Sequence, residues 1–167
     1  MDVKKIAVIG AGAMGNGITQ VGLMAGYTVA MHDVEQRFVD RGVNTIEESL
    51  SRFLSKGKIT AEQNNAMLKQ LMPTTDLKTA VKETDLVIEA VFEDLDLKKK
   101  IFSDLDAAAP ERTILASNTS SMSITEIASA TKRPSKVVGM HFFNPAVMLK
   151  LVEVIYAKQS SDDAIKT

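Results

Sequence analysis

The chain has 167 residues, a formal net charge of −1 and no cysteine. That length is enough for one domain with its own core. The balanced charge leaves no basic excess to neutralise a phosphate backbone, so nucleic acid is not an expected partner. The missing thiols exclude disulfides, thiolate metal sites and a cysteine nucleophile.

The N-terminal MDVKKIAVIGAG runs straight into a short apolar stretch that ends in glycine. It is too short for a signal peptide, and no cleavage-like segment follows. No stretch approaches about 18 continuous apolar residues, so no membrane span is expected. A cytoplasmic globular protein is the reading. Short apolar runs occur at Ile6–Ile9, Thr28–Met31, Leu86–Val91, Thr113–Ala116, Val137–Met140 and Leu151–Ile155. Most are apolar on both faces, as strands of a parallel sheet covered by helices on both sides are. Between the first two runs, Ile18, Val21, Gly22 and Ala25 fall at helical spacing. Strand, helix, strand, repeated, predicts a doubly wound α/β fold across residues 1–167.

The connection from Val34 to Met72 is too long for a simple crossover. Val39, Val43, Ile46, Leu50 and Phe53 recur at steps of four, three, four and three, which predicts a long amphipathic helix. Gly57 interrupts it, and Thr60 with Gln63 forms a capping-box signature for a second helix through Leu71. The two helices, joined at Lys56–Ile59, predict an arm standing off the sheet after the second strand. Further on, Lys98–Lys100 reads as a solvated helix face, with Lys98 set apart by the motif it follows. Ser123 with Glu126 opens another short helix before Pro134. Residues 159–167 are polar and read as the beginning of a further element.

The first strand leads into GAGAMG, from Gly10 through Gly12, Ala13 and Met14 to Gly15. Gly-x-Gly-x-x-Gly between a strand and a helix is a dinucleotide signature. Gly10 allows the tight turn, Gly12 lets the backbone approach a pyrophosphate, and Gly15 permits close helix packing. The helix N-terminus offers free N–H groups and a partial positive charge to phosphates. Asp33 stands eighteen residues after Gly15, at the end of the second run. An acid there binds both ribose hydroxyls of an adenosine and repels a 2′-phosphate, so NAD is expected rather than NADP. Without a ligand the same glycines would make a plain strand-to-helix turn; the acid at this spacing favours the dinucleotide. His32 beside it reads as a half-exposed structural histidine.

Near the C-terminus, HFFNP at 141–145 is followed by KLVEV at 150–154. These segments, with GAGAMG at 10–15, IEAVFED at 88–94 and ASNTSS at 116–121, resemble the NAD-binding domain of the L-3-hydroxyacyl-CoA dehydrogenases, bacterial 3-hydroxybutyryl-CoA dehydrogenases included. The resemblance covers essentially the whole chain and implies a Rossmann-type domain. It implies His141 as catalytic base, Glu153 as its acidic partner and Ser120 as the group at the substrate's C3 oxygen. It places Glu93, Lys98 and Asn144 near the cofactor, and it implies that Ser49 and Lys56 on the arm contact coenzyme A. The family also carries a second, helical domain that forms a homodimer and supplies an asparagine. That domain is not found in these residues. No metal is implied.

The chemistry suits these residue types. A histidine titrates near neutrality and so can take and return an alcohol proton, while an anionic neighbour stabilises the imidazolium formed. The expected activity is interconversion of (S)-3-hydroxyacyl-CoA and 3-oxoacyl-CoA. Two alternatives stand beside it: another β-hydroxyacid dehydrogenase, which generally uses a lysine in place of the His–Glu pair, and an NAD- or CoA-binding module without turnover.

Overall fold

A computed structural model describes residues 2–167. Its centre is a seven-stranded sheet. In chain order the strands are β1 (Lys5–Ile9), β2 (Thr28–His32), β3 (Leu71–Thr74), β4 (Leu86–Glu89), β5 (Ile114–Ser117), β6 (Val137–Phe142) and β7 (Val152–Tyr156). Their spatial order is β3-β2-β1-β4-β5-β6-β7. Strands β1 to β6 are parallel, and β7 runs antiparallel to β6. The strand order reverses between β1 and β4, and the mouth of the sheet at that switch is where doubly wound folds bind ligands.

Alternating side chains of the central strands enter two cores. Ile6, Val8, Val29 and Met31 face one, together with Ile18 and Leu23 of α1 (Ala13–Met24). Ala7, Ile9, Ala30 and Val87 face the other, with Phe102 and Leu105 of α5 (Leu95–Ala108) and Ile127 of α6 (Ile124–Ala128). Burial on both faces explains why these strands read as continuous apolar runs.

The long connection forms α2 (Gln36–Ser55) and α3 (Ala61–Gln70). Thr60 and Gln63 make the reciprocal capping box at the start of α3. The arm does not stand clear of the sheet. Val39, Ile46 and Leu50 are fully buried along its inner stripe, and the close approach of Gly42 to Ala11 ties α2 to the glycine loop. Each such aliphatic side chain contributes about 1.5–3 kcal/mol when buried, enough to hold the helix down.

Strand β3 and the short helix α4 (Leu77–Val81) follow α3. The apolar pattern does not announce β3. It is a short, half-exposed edge strand containing Pro73, and an edge is where a sheet tolerates proline. The last run is also different in kind from the others: β7 is antiparallel, mostly exposed and at the opposite edge. The C-terminal polar residues close as α7 (Asp162–Lys166), capped by Ser161. Among the described residues, no helix is long and apolar enough to cross a membrane.

Candidate active site

The glycine loop joins β1 to α1. Gly10 has φ +103°, a conformation side chains rarely adopt, and a Cβ there would lie 2.7 Å from the carbonyl oxygen of Ala90. A Cβ on Gly15 would meet the carbonyl oxygen of Gly10 at 1.7 Å, so the helix start is pressed against the loop itself. At Gly12 nothing lies within 4 Å of that position. The open side of the loop therefore faces outward, and Ala13 and Met14 begin the helix with no side chain capping it. Free first-turn amides beside an open backbone suit a pyrophosphate.

Asp33 follows β2 directly. One carboxylate oxygen accepts the N–H of Ala11 at 2.8 Å, and the other accepts the N–H of Val34 at 2.8 Å. The acid is thus fastened beside the glycine loop, at the end of the strand where a ribose would lie. The residues fit NAD by this test. His32 differs from its sequence reading: it is buried, 6% exposed, and its Nδ1 has no hydrogen-bond partner. Burial pushes its pKa below the ordinary 6.5, against a hydrogen bond with the Thr75 backbone and the charges of Asp33 and Asp76.

On the other side of the switch point lies a cavity of about 340 Å³. Its walls include Met14, Glu93, Asn118, Ser120, His141 and Asn144. Five of these six were named from sequence, and the fold brings them together from α1, the loop after β4, the loop after β5 and the end of β6. Asn118 was not named, although it stands in the ASNTSS segment. Its Oδ1 accepts the N–H of Phe142 at 2.8 Å, and its own N–H donates to the carbonyl of Glu89. It binds the mouths of β4, β5 and β6 together.

His141 lies inside β6 rather than after it, because the strand continues for as long as β7 pairs with it. His141 and Glu153 are direct cross-strand partners. His141 Nδ1 is 2.8 Å from Glu153 Oε2, and Phe143 packs against the imidazole with ring centroids 4.6 Å apart. The antiparallel turn thus achieves what twelve residues of sequence separation conceal. Cross-strand neighbours face the same side of the sheet, so the acid is held beside the ring.

Lys98 is not part of a solvated face. It is 1% exposed, while Lys100 on the same helix is exposed. Its Nζ lies 2.6 Å from Glu89 Oε1 and 3.2 Å from Glu93 Oε2. Glu93 in turn accepts from Thr119 Oγ1 at 2.5 Å and from Ser120 N–H at 2.9 Å. Burial alone would raise the Glu93 pKa; these hydrogen bonds and the Lys98 charge outweigh it and hold the carboxyl below its ordinary value. Ser49 and Lys56 stand apart from this cavity. Ser49 is buried within α2, and Lys56 is exposed at its C-terminal end. Among the described residues, no group of three or more His, Asp or Glu side chains gathers to hold a metal ion.

Comparison with known proteins agrees with this architecture. The family described as 3-hydroxyacyl-CoA dehydrogenase, NAD binding domain, matches residues 5–167. The chain is 46% identical over 157 residues to the 3-hydroxybutyryl-CoA dehydrogenase of Clostridioides difficile, covering 94% of this chain and 56% of that protein. It is 41% identical over 166 residues to the 3-hydroxyadipyl-CoA dehydrogenase of Escherichia coli, covering 99% of this chain and 35% of that protein. Among solved structures, (S)-3-hydroxybutyryl-CoA dehydrogenase from Ralstonia eutropha superposes with a TM-score of 0.95 at 40% identity, covering 99% of this chain and 58% of that one. The chain spans about half the length of several curated relatives it matches and about a quarter to a third of others. Sequence motifs, sheet order and relatives converge: the chain belongs to the NAD-binding domain family of the 3-hydroxyacyl-CoA dehydrogenases.

Proposed function

We propose that this domain serves an enzyme that interconverts (S)-3-hydroxyacyl-CoA and 3-oxoacyl-CoA, with 3-hydroxybutyryl-CoA as substrate. The observation that carries the reading is the 2.8 Å pairing of His141 with Glu153 at a cavity shared with Ser120. With Glu153 as acceptor, Nδ1 carries the ring proton and Nε2 is left with a lone pair. Nε2 then takes the proton of the C3 hydroxyl as the oxygen becomes a carbonyl. Glu153 stabilises the imidazolium that results. Ser120 donates its hydroxyl to the substrate oxygen and keeps it in line with the base. NAD, when bound, supplies the acceptor for the hydride that leaves C3. In the reverse direction His141 returns the proton.

The remaining assignments belong to the same reading. Gly10, Gly12, Ala13, Met14 and Gly15 cradle the pyrophosphate, and Asp33 binds the adenosine ribose. Glu93 and Asn144 line the path toward the nicotinamide, and Lys98 acts on the cofactor from behind Glu93. On the arm, coenzyme A meets the exposed Lys56 and the small part of Ser49, 9% of the residue, that remains open. The relatives' additional length is where the reading puts a helical domain that closes the cavity and pairs two subunits into a homodimer. A cytoplasmic location goes with it.

The test is calorimetry of NAD against this chain, followed by NADH absorbance with (S)-3-hydroxybutyryl-CoA in the intact protein. Saturable NAD binding and turnover lowered by about 10²–10⁴-fold in His141→Ala are the expected results. Full activity in the His141→Ala protein would refute the mechanism, and NAD binding without turnover in the intact protein would favour a non-catalytic module.

A further inference from the structure

Behind the cavity wall lies a buried carboxylate, Glu89, to which the proposed chemistry gives no role. Glu89 ends β4 and is fully buried. Its Oε1 accepts from Lys98 Nζ at 2.6 Å and from the Val91 N–H at 2.8 Å. Its Oε2 accepts from Ser117 Oγ at 2.6 Å. Lys98 also reaches the Val91 carbonyl at 3.4 Å and Glu93 Oε2 at 3.2 Å. The opposite oxygen of Glu93 holds Thr119 and the N–H of Ser120, with the Ser120 hydroxyl 3.4 Å away. An unbroken polar chain thus runs from Ser117, in the sheet interior, to Ser120, on the cavity wall. Two carboxylates share one ammonium along it.

We propose that Glu89 is a positioning residue: it anchors the Lys98 ammonium at the end of β4, so that Glu93 keeps one oxygen for Thr119 and Ser120. The division of labour follows from the contacts. A buried ammonium must be compensated by hydrogen-bonded opposite charge. With Glu89 in place, Lys98 spends its shortest contact there and touches Glu93 through one oxygen only. Without the Glu89 charge, Glu93 becomes the ammonium's sole counter-ion and is drawn toward it, away from the Ser120 loop. Without Lys98, two carboxylates are left without their shared cation, and Glu93 turns toward water. Either loss displaces Ser120. The inference rests on the reading of Ser120 as the group that meets the substrate oxygen.

The experiment compares Glu89→Gln, Lys98→Met and the double variant of this chain. Carboxyl and amide NMR report Glu93 and Ser120, fluorescence titration reports NADH affinity, and urea unfolding reports stability. Lys98→Met is expected to raise the Glu93 pKa from its depressed position, whereas Glu89→Gln does not raise it. The Ser120 amide resonance moves in both single variants. NADH Kd rises about tenfold in each, the scale on which supporting residues act around a site. The double variant unfolds at higher urea than Lys98→Met, because both buried charges leave together. An unmoved Ser120 amide in folded Glu89→Gln would reduce Glu89 to a structural residue and overturn the proposal. So would a double variant no more stable than Lys98→Met. If Glu89→Gln does not fold, the double variant carries the test, with the Ser120 amide displaced as in Lys98→Met. A wild-type chain that does not bind NADH would count against the dehydrogenase reading, while the Glu93 and Ser120 signals would still decide the role of Glu89.

Discussion

Lys98 and Glu89 meet at 2.6 Å with side chains 1% and 0% exposed, whereas His141 and Glu153 meet at 2.8 Å with side chains 17% and 52% exposed. The two pairs flank one cavity and have similar geometry, but their surroundings differ. The interior pair is enclosed by β4, β5 and α5, and every oxygen of Glu89 is taken. Its charges are locked in place and serve the architecture. The rim pair sits on the last two strands, where one partner faces water. The imidazole itself opens onto the cavity, as the proposed general base chemistry requires. Burial separates a group that fixes the site from a group that can react in it.

Substitutions should therefore split between chemistry and stability. His141→Ala is expected to lower kcat of the intact protein by about 10²–10⁴-fold, the usual contribution of a general base. Its urea midpoint should stay close to the wild-type value. A large loss of stability instead would assign the imidazole a packing role and erase the contrast.

Lys98→Met should show its largest effect on stability, beyond its about tenfold weakening of NADH binding. Removing one partner of a buried ion pair costs about 3–5 kcal/mol, because the other charge stays buried. Urea unfolding of this chain measures it directly. A loss below about 1 kcal/mol would mean that water reaches Glu89.

Glu153→Gln keeps the shape of the rim pair and removes its charge. Its stability effect should stay within about 1 kcal/mol, as for exposed ion pairs. The rate should fall by about 10–100-fold, since the ring loses the group that orients and stabilises it. An unchanged rate would show that the antiparallel pairing alone orients His141.

The smallest effect concerns pH. A group whose folded pKa is depressed stabilises the fold above its unfolded pKa, and that contribution disappears as pH falls through the folded value. His32 is depressed from 6.5, and Glu93 from 4.5. Stability should therefore begin to decline below about pH 6.5 and decline again below about pH 4.5. His32→Gln should remove the first slope and leave the second. A first slope that survives this substitution would belong to another group.

Much of this was legible in the residues. The glycine loop and the succession of apolar runs specify local backbone and burial, and the strands and the turn into α1 lie where local rules put them. The capping box at Thr60 was equally plain. The features without a local signal depend on partners distant in sequence. Strand β3 is short, half-exposed and interrupted by Pro73, so it lacks the apolar signal of an interior strand. Lys98 stands apart from its lysine neighbours already in the sequence, but its partner Glu89, on a different element, does not. Asn118 gives no sign in sequence that its amide will fasten β5 to β6.

The chain order of apolar runs and glycines determined the doubly wound sheet and the site of its dinucleotide turn, because both follow from hydrogen bonding and side-chain alternation over a few residues. Only the tertiary structure decided that the last strand reverses direction. That reversal is what puts Glu153 opposite His141, since cross-strand neighbours meet through space at a distance no local pattern encodes.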